Sequence, residues 1–584
     1  MRYHIGRIAH AHMHIAHLAA WMESCYSCQP LLHLGEDTIH SCCGVQQGDP
    51  LGPLGFALSL QPLLEHLQTD VSGLRLNVWY LDDGTLMGSP EDLAAALRIV
   101  EREGPPLGLH LNRSKSLLYI PRDADPAQSV LPSDIPTTRR GFTLLGCPIG
   151  PPDYCEEVFG ARLSKLKQSL GALHGIGDSQ VECTLLRSCL ALPKVSFILR
   201  ACPPSHIQRT AAEFDSTIHC TLETIIGGPF SHWSWLKASL PSSCGGLNLR
   251  SAVRHSPAAF LASISESKAL VIQILGGPPA PSLHITHAVS SLALEAARPD
   301  WQCLDDIDVP LRQKCLSHVV DKVCFQQLLA SAPTCRSRAL ALSSSLPHAG
   351  DWLNVVPSST LGLHLHDREF RFCLRYWLGV PLHSSPYSCP ECRLTADIYG
   401  DHQVGCGGNG DRITRHNAVR DVIHAAAQSA ALAPSKETPG LVPGSQARPG
   451  DIFIPCWSLG RPTAFDVLVI SPLQELTIAE AAQTPGHALD VGVQRKLTSN
   501  LPVCRSSGLD FVPLVAETLG GLAEDTIFTI NTISRAIEDR CGSSGPTLTN
   551  SHLFGRLAVA LWRGNASLWL HRLPTLPPSL DGVV

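Results

Sequence analysis

Charge is what this chain has least of: Asp, Glu, Lys and Arg together account for 16% of its 584 residues, while 44% are hydrophobic. A chain so apolar and so weakly charged does not stay disordered, and it is long enough to bury the cores of three or four domains. Positive charge is scarcer still, with 45 Lys and Arg against 51 Asp and Glu and a formal net charge of −6. That argues against whole-molecule attraction to phosphates, which basic proteins obtain by releasing counterions. Any nucleic-acid contact must then come from local clusters such as Arg139-Arg140 or Arg412, Arg415 and Arg420. No apolar run reaches the length of a membrane span, no internal repeat is evident, and the N-terminus is studded with His and Arg where a secretory leader would be apolar. Without a leader, the 22 cysteines imply reduced thiols with a few free to bind metal. The expectation is an intracellular, soluble protein with no membrane partner.

What is there is most informative between Gly44 and Met87. Leu74, Leu76, Val78 and Tyr80 alternate with Arg75, Asn77 and Trp79, the period of a strand with one buried face. Asp83-Gly84 is a turn signal, and Thr85-Leu86-Met87 can return as the partner strand. Asp82 and Asp83 at such a tip repel each other unless a cation lies between them, and paired oxygen ligands suit Mg²⁺. Upstream, Asp49-Pro50 is a helix start, with Leu51 to Leu67 as the helix and Pro62 as its kink. Downstream, Ser89-Pro90-Glu91-Asp92 opens a second helix with a buried stripe at Leu93, Leu97 and Val100, ended by Gly104.

The flanks say less. Residues 1–43 read as one helix and an irregular entry, and His10, His12, His14 and His17 are better explained as a His-rich helix than as a metal grip. Cys25 and Cys28 form a lone C-x-x-C, read as structural. Residues 155–300 are amphipathic helix with proline breaks (Leu163, Leu166 and Leu170; Leu185 to Leu192 before Pro193), and Gly276 to Ser282 is a plausible linker. Residues 300–385 are helical again, with Phe370, Cys373, Leu374 and Trp377 at helical spacing and Arg368, Arg371 and Arg375 beside them.

Cys389, Cys392, His402 and Cys406 put four soft ligands within eighteen residues among turn-forming glycines. A closed Cys₃His set of this kind holds structural Zn²⁺ and orders a loop too short to bury a core. Beyond it, Val419, Val422, Ile423 and Ala426 mark a helix face, and Arg448 to Ile454 and Ala464 to Ile470 read as two apolar strands, each carrying one aspartate, Asp451 and Asp466. A carboxylate in so apolar a strand is costly unless paired or bound to metal. Two on neighbouring strands could share a Mg²⁺. The bland alternative places both at strand ends in water.

Gly44 to Phe56 (GVQQGDPLGPLGF), Tyr80-Leu81-Asp82-Asp83, Gly108 to Lys115 (GLHLNRSK) and Leu144 to Gly150 (LLGCPIG) together resemble, in order and spacing, palm motifs B to E. The family they resemble is the reverse transcriptase of non-LTR retrotransposons that carry a restriction-like endonuclease. The resemblance implies that Asp82 and Asp83 are magnesium ligands of a polymerase, with Lys115 as general acid to the departing pyrophosphate. It further implies that Gln47, Gly48, Asp49 and Tyr80 meet template and incoming nucleotide, and that the hairpin Phe142 to Ile149 is the primer grip. The Gly245-Gly246-Leu247 segment resembles one in the family's thumb. Motif A, with its first metal-binding aspartate, is not found upstream, where Asp37 is the single aspartate; the chain is expected to begin just after it.

The Cys₃His set resembles the family's CCHC knuckle, and the segment after it a PD-(D/E)xK nuclease with Asp451 and Asp466 as acids. The usual lysine position, two past the second acid, is Leu468, and Gly450 is inserted between Pro449 and Asp451. In the retroelement branch the lysine sits on the next helix, which makes Lys496 the candidate and Arg495 the second, with Glu437 as an extra ligand and Leu509 to Ala516 as the next core strand.

The fold so implied is α+β and multidomain. Residues 1–150 are partial fingers and palm (an antiparallel sheet plus helices), 151–300 a helical thumb, 301–385 a helical linker and 386–410 the CCHC zinc knuckle. Residues 411–540 are an α/β restriction-like endonuclease and 541–584 a C-terminal helix and tail. The implied partners are target DNA, an RNA template and deoxynucleoside triphosphates, and the implied location is nuclear. With motif A missing, metal-dependent DNA nicking is expected to survive where DNA synthesis is not. The alternatives are an inactive relic, a nucleic-acid-binding module without catalysis, or a scaffold using only the helical middle.

Overall fold

A computed structural model describes residues 18, 21, 24, 25, 31–40, 48–121, 130–444, 446, 448–542 and 546–573. The chain is mixed α and β, mostly helical with small sheets, and divides into two compact units. One comprises residues 1–155 with 267–281, the other residues 156–266 with 282–584.

In the first unit, β1 (Leu31–Leu34) and β2 (Asp37–His40) form an exposed antiparallel hairpin, so residues 1–43 are not one helix with an irregular tail. The four metal-grip histidines and Cys28 lie outside the described residues. Helix α1 (Gly52–Asp70) runs unbroken through Pro62, and Asp49 Oδ1 accepts the Leu51 N–H at 2.9 Å just before it. Its buried Leu60, Leu63 and Leu67 pack with Val71, Ala96, Ile99, Val100 and Leu109.

Strands β3 (Leu76–Tyr80) and β4 (Asp83–Met87) pair in the register Tyr80↔Asp83 and Trp79↔Gly84. The turn is therefore Leu81-Asp82, with Leu81 at φ +57, and not Asp83-Gly84. Trp79 and Leu86 pack on the core, and Asn77 Nδ2 donates to the Leu64 carbonyl. The inward face is thus the one that carries Asn77 and Trp79, the reverse of the alternation expected for Val78 and Tyr80. The indole area of Trp79 outweighs the smaller aliphatic set.

Ser89 and Asp92 close a capping box on α2 (Pro90–Leu107), whose buried residues are Ala94, Ala96, Ile99, Val100 and Gly104. Leu93 and Leu97 are only half-buried. Gly104 does not end this helix: a Cβ there would lie 2.6 Å from the Leu109 carbonyl, so its glycine serves close packing. The helix stops at Gly108, which takes the left-handed φ of +82. Short pairs follow: β5 (Leu118–Tyr119) with β6 (Thr137–Thr138), then the hairpin of β7 (Phe142–Leu144) and β8 (Cys147–Ile149).

The second unit begins within α3 (Pro152–Leu173), whose Leu163, Leu166 and Leu170 are buried as their spacing predicts. It continues through α4 (Ser179–Leu185), α5 (Leu192–Ala201), α6 (Gln208–Ile226), α7 (His232–Ser239), α8 (Ala252–Leu275, of which residues 267–275 belong to the first unit), α9 (Leu283–Glu295), α10 (Gln313–Ala330), α11 (Cys335–Ser344) and α12 (Asp367–Leu378). By length and composition α8 is apolar enough to cross a membrane, against the expectation from sequence; its residues Ala258 to Ala262 are buried in protein.

Phe370, Cys373, Leu374 and Trp377 of α12 are buried, as expected. Arg371 and Arg375 are tied to Ser179 Oγ and the Pro381 carbonyl. Strands β9 (Tyr387–Ser388) and β10 (Thr395–Ala396) then form a small hairpin, followed by α13 (Asp401–Gly405) and α14 (Asp411–Ser429).

A four-stranded sheet follows, in the order β11 (Ser435–Lys436), β12 (Ile452–Ile454), β13 (Thr463–Ile470), β14 (Asp510–Glu517). The first three are antiparallel; β13 and β14 are parallel, joined through α15 (Ile478–Ala481) and α16 (His487–Ser506). Phe465 and Val467 face a core shared with α14, α17 (Glu524–Cys541) and α18 (Pro546–His571). Helix α18 does more than close the chain. Trp562 stacks on Trp352, and Trp569 Nε1 donates to the Gly400 carbonyl at 3.0 Å, so one helix secures both the sheet and the cysteine-bearing segment.

Candidate metal and acid sites

Antiparallel pairing of Ile452 with Phe465, extended by one residue, sets Asp451 opposite Asp466. Opposed residues of an antiparallel pair share a face with Cβ atoms about 4.5–5.5 Å apart, which makes the two carboxyl groups neighbours. Asp451 Oδ2 accepts the Val467 N–H at 2.7 Å and faces His416 Nε2 at 3.1 Å. Asp466 is 6% exposed, with Oδ2 2.8 Å from Lys496 Nζ and 2.6 Å from Asn500 Nδ2. Burial pushes the Asp466 carboxyl up to about 6, Lys496 opposing and Asp451 adding to the rise. Against its own burial, Asp451 is held below the usual carboxylate range by His416 and the Val467 amide. His416 is correspondingly raised, chiefly by its hydrogen bond to Asp451.

Asp466, Leu468 and Ile470 share one face of β13, and Leu468 packs with Ile470, Ala488, Leu489 and Val515 beneath α16. The position where a strand lysine would sit is therefore apolar, and α16 delivers Lys496 in its place; Arg495 is exposed. Gly450 also has its reason. A Cβ there would lie 2.8–3.1 Å from the backbone of Phe465, so only glycine lets the chain pass this close to β13. Glu437 is not free to act as a ligand, because Arg420 and Arg448 hold its two carboxylate oxygens at 2.5 and 2.7 Å.

Two of the arginines expected to meet phosphate, Arg415 and Arg420, are spent within the protein, whereas Arg139, Arg140 and Arg412 are exposed. Arg415 is buried on the Val404 carbonyl and Asn565 Oδ1, Arg420 is buried on Asp421 and Glu437, and Arg412 donates to the Gly405 carbonyl. The bonds of Arg415 and Arg420 offset the cost of burying a charged group.

His416 and Asn500 did not emerge from sequence reasoning. Their signals were spacing: His416 lies three and seven residues before Val419 and Ile423 on the buried stripe of α14, and Asn500 lies one turn after Lys496.

The cysteine cluster is assembled in full. The ligand atoms of Cys389, Cys392, His402 and Cys406 all lie within 4.8 Å of one another. Cys389 Sγ and Cys406 Sγ are 3.9 Å apart, and Cys392 Sγ and His402 Nε2 3.2 Å. Ligands of one tetrahedral ion, each about 2.0–2.3 Å from it, stand roughly 3.3–3.8 Å apart, so the set fits zinc. Asp397 orders the loop by accepting the N–H groups of Tyr399, Gly400 and His402.

At the β3–β4 tip, Tyr80, Asp82 and Asp83 are exposed, as is Lys115, whose N–H donates to Asn112 Oδ1. Among the described residues, none of these joins a group of three metal-capable side chains. Gly48 is exposed at φ +93, Asp49 is half-buried, and Gln47 lies outside the described residues.

No protein-family model matches the chain. Over 214 residues it is 26% identical to the retrotransposable element SLACS 132 kDa protein of Trypanosoma brucei gambiense. The match covers 36% of this chain and 18% of that protein, and points to a retroelement-related origin.

Proposed function

We propose that the chain is part of a non-LTR retrotransposon reverse transcriptase, and that residues 411–540 nick DNA in a metal-dependent reaction. The observation that carries the reading is the meeting of Asp451 and Asp466 with Lys496 set on the second acid. One buried and one half-buried carboxyl group, both hard oxygen donors, are the ligand chemistry of Mg²⁺, and Asp451 and Asp466 would hold it. When bound, the ion supplies charge for the scissile phosphate and an acidified water. Lys496 and Asn500 keep Asp466 aimed, and His416 and the Val467 amide do the same for Asp451. Fixing both acids before substrate arrives is how positioning lowers a barrier. The knuckle, with zinc on Cys389, Cys392, His402 and Cys406, supports the nuclease through α18.

Polymerisation belongs to the intact family, with Asp82, Asp83 and Lys115 acting on template and deoxynucleoside triphosphates. Nicking is the activity expected of this chain. A Mg²⁺-dependent plasmid-nicking assay on wild type and Asp466→Ala tests it: wild type should cut and the variant should not, and equal cutting by both removes the nuclease assignment. The second reading, a nucleic-acid-binding module without catalysis, is favoured by the exposed, unclustered acids at the polymerase tip. It predicts shift of labelled DNA with no cutting and no primer extension at any Mg²⁺ or Mn²⁺ concentration.

A further inference from the structure

We propose that His219, Cys220 and Glu223 on α6 form a second metal site, for zinc or a similarly soft divalent ion. Each offers one ligand atom, and the three lie within 4.8 Å of one another. The spacing is what a helix needs: positions i and i+4 stack on one face, and i+1 and i+4 are i,i+3 neighbours on adjacent turns. The imidazole is already oriented. Phe230 packs on it at 4.7 Å and Trp235 edge-on at 4.9 Å, which reduces the side-chain freedom a ligand would otherwise lose on binding.

An ordinary i, i+4 His–Glu pair is the competing reading. Here His219 Nδ1 and Glu223 Oε2 are 3.8 Å apart, beyond hydrogen-bond reach. That separation is a few tenths of an ångström wider than the roughly 3.3–3.5 Å that nitrogen and oxygen ligands of one tetrahedral ion require, so the two would draw together on binding it. The carboxylate and ring are half-exposed and the thiol is exposed, so all three are open to an incoming ion. Three protein ligands leave a fourth position open, the hallmark of zinc sites that exchange water for another ligand.

What borders the site strengthens it. Cys220 lies on the wall of an open groove of about 450 Å³ between α3 and α6, which Lys167, His174, Ser216, Thr217 and Thr224 also line. The groove is also lined by Glu213, which pairs with Lys167 at 2.6 Å, so its walls present hydroxyls and a neutralised ion pair, and the open position faces solvent through it. The site is independent of the nuclease assignment, and its chemistry is independent of the Cys₃His cluster.

The test uses the full chain, stripped of metal and titrated with Zn²⁺ against a chromophoric chelator. Cys220→Ser and His219→Ala should each bind one equivalent fewer than wild type, whatever the wild-type total. Cys389→Ser should remove a different equivalent, and Cys303→Ser, at another exposed cysteine, none. Far-UV circular dichroism of the metal-free variants should match wild type. Co²⁺ loading should show thiolate-to-metal absorption that falls in Cys220→Ser. Unchanged zinc stoichiometry and unchanged Co²⁺ absorption in Cys220→Ser overturn the proposal.

Discussion

Lys496 Nζ lies 2.8 Å from Asp466 Oδ2, reaching the acid from α16 and not from the strand that bears it. A buried carboxyl flanked by a second acid needs a countercharge, and this ammonium provides it without loading another charge into the β13 core.

Lys496→Ala should lower Mg²⁺-dependent nicking about 10²-fold or more, in the range seen when one preorganised charge is removed from a reacting centre. Lys496→Arg should retain part of the rate. Asn500→Ala, which frees Asp466 of its second partner, should cost less than Lys496→Ala. Initial rates on supercoiled plasmid give the ranking.

Gly450→Ala should be as damaging to nicking as loss of an acid, although the residue bears no functional group. The added methyl meets the Phe465 backbone at 2.8–3.1 Å, so Asp451 must move away from Asp466. Circular dichroism should remain near wild type while cutting falls.

Chelating zinc, or Cys389→Ser, should lower the melting temperature by several degrees, because the ion's binding free energy is part of folding free energy. The loss should reach beyond the knuckle, since Trp569 and Arg572 of the C-terminal segment bond to Gly400 and Asp411. Differential scanning calorimetry with and without chelator reads it directly.

Glu517 is fully buried at the end of β14, and burial pushes its pKa up to about 8 against the opposing influence of the Ser343 hydroxyl. In the unfolded chain the proton leaves near the ordinary value of 4.5. Its contribution to stability is therefore complete below pH 4.5 and is lost as pH rises to about 8. Glu517→Gln should flatten that slope, matching wild type near pH 4.5 and exceeding it above pH 8 in urea unfolding.

Lys237 predicts the opposite sign. It is fully buried, donates to the Gly245 carbonyl and Ser344 Oγ at 2.6 Å, and burial lowers its pKa to about 7. The unfolded chain holds that proton to about 10.5, so stability should rise between pH 7 and 10.5. Lys237→Met should abolish the rise. At pH 9 it should cost about 1–3 kcal/mol for the hydrogen bonds left unmade.

Local chemistry, readable from neighbours in the chain, was determined by the sequence alone. The capping box at Ser89 and Asp92, the buried stripe of Leu163, Leu166 and Leu170, the paired apolar strands around Asp451 and Asp466, and the four soft ligands from Cys389 to Cys406 all follow from spacing and residue type. Tertiary structure decided whatever depended on a distant partner. Which face of β3 turns inward was set by the area of Trp79 against α1 and α2, and the roles of Gly104 and Gly450 by the backbone that passes beside them. Likewise, Arg415 and Arg420 look like phosphate binders in the sequence and are consumed by Asn565 and Glu437 in the fold. The reason is physical: caps and periodic faces are satisfied within a few residues. A buried charge is satisfied by whatever the packing brings to it.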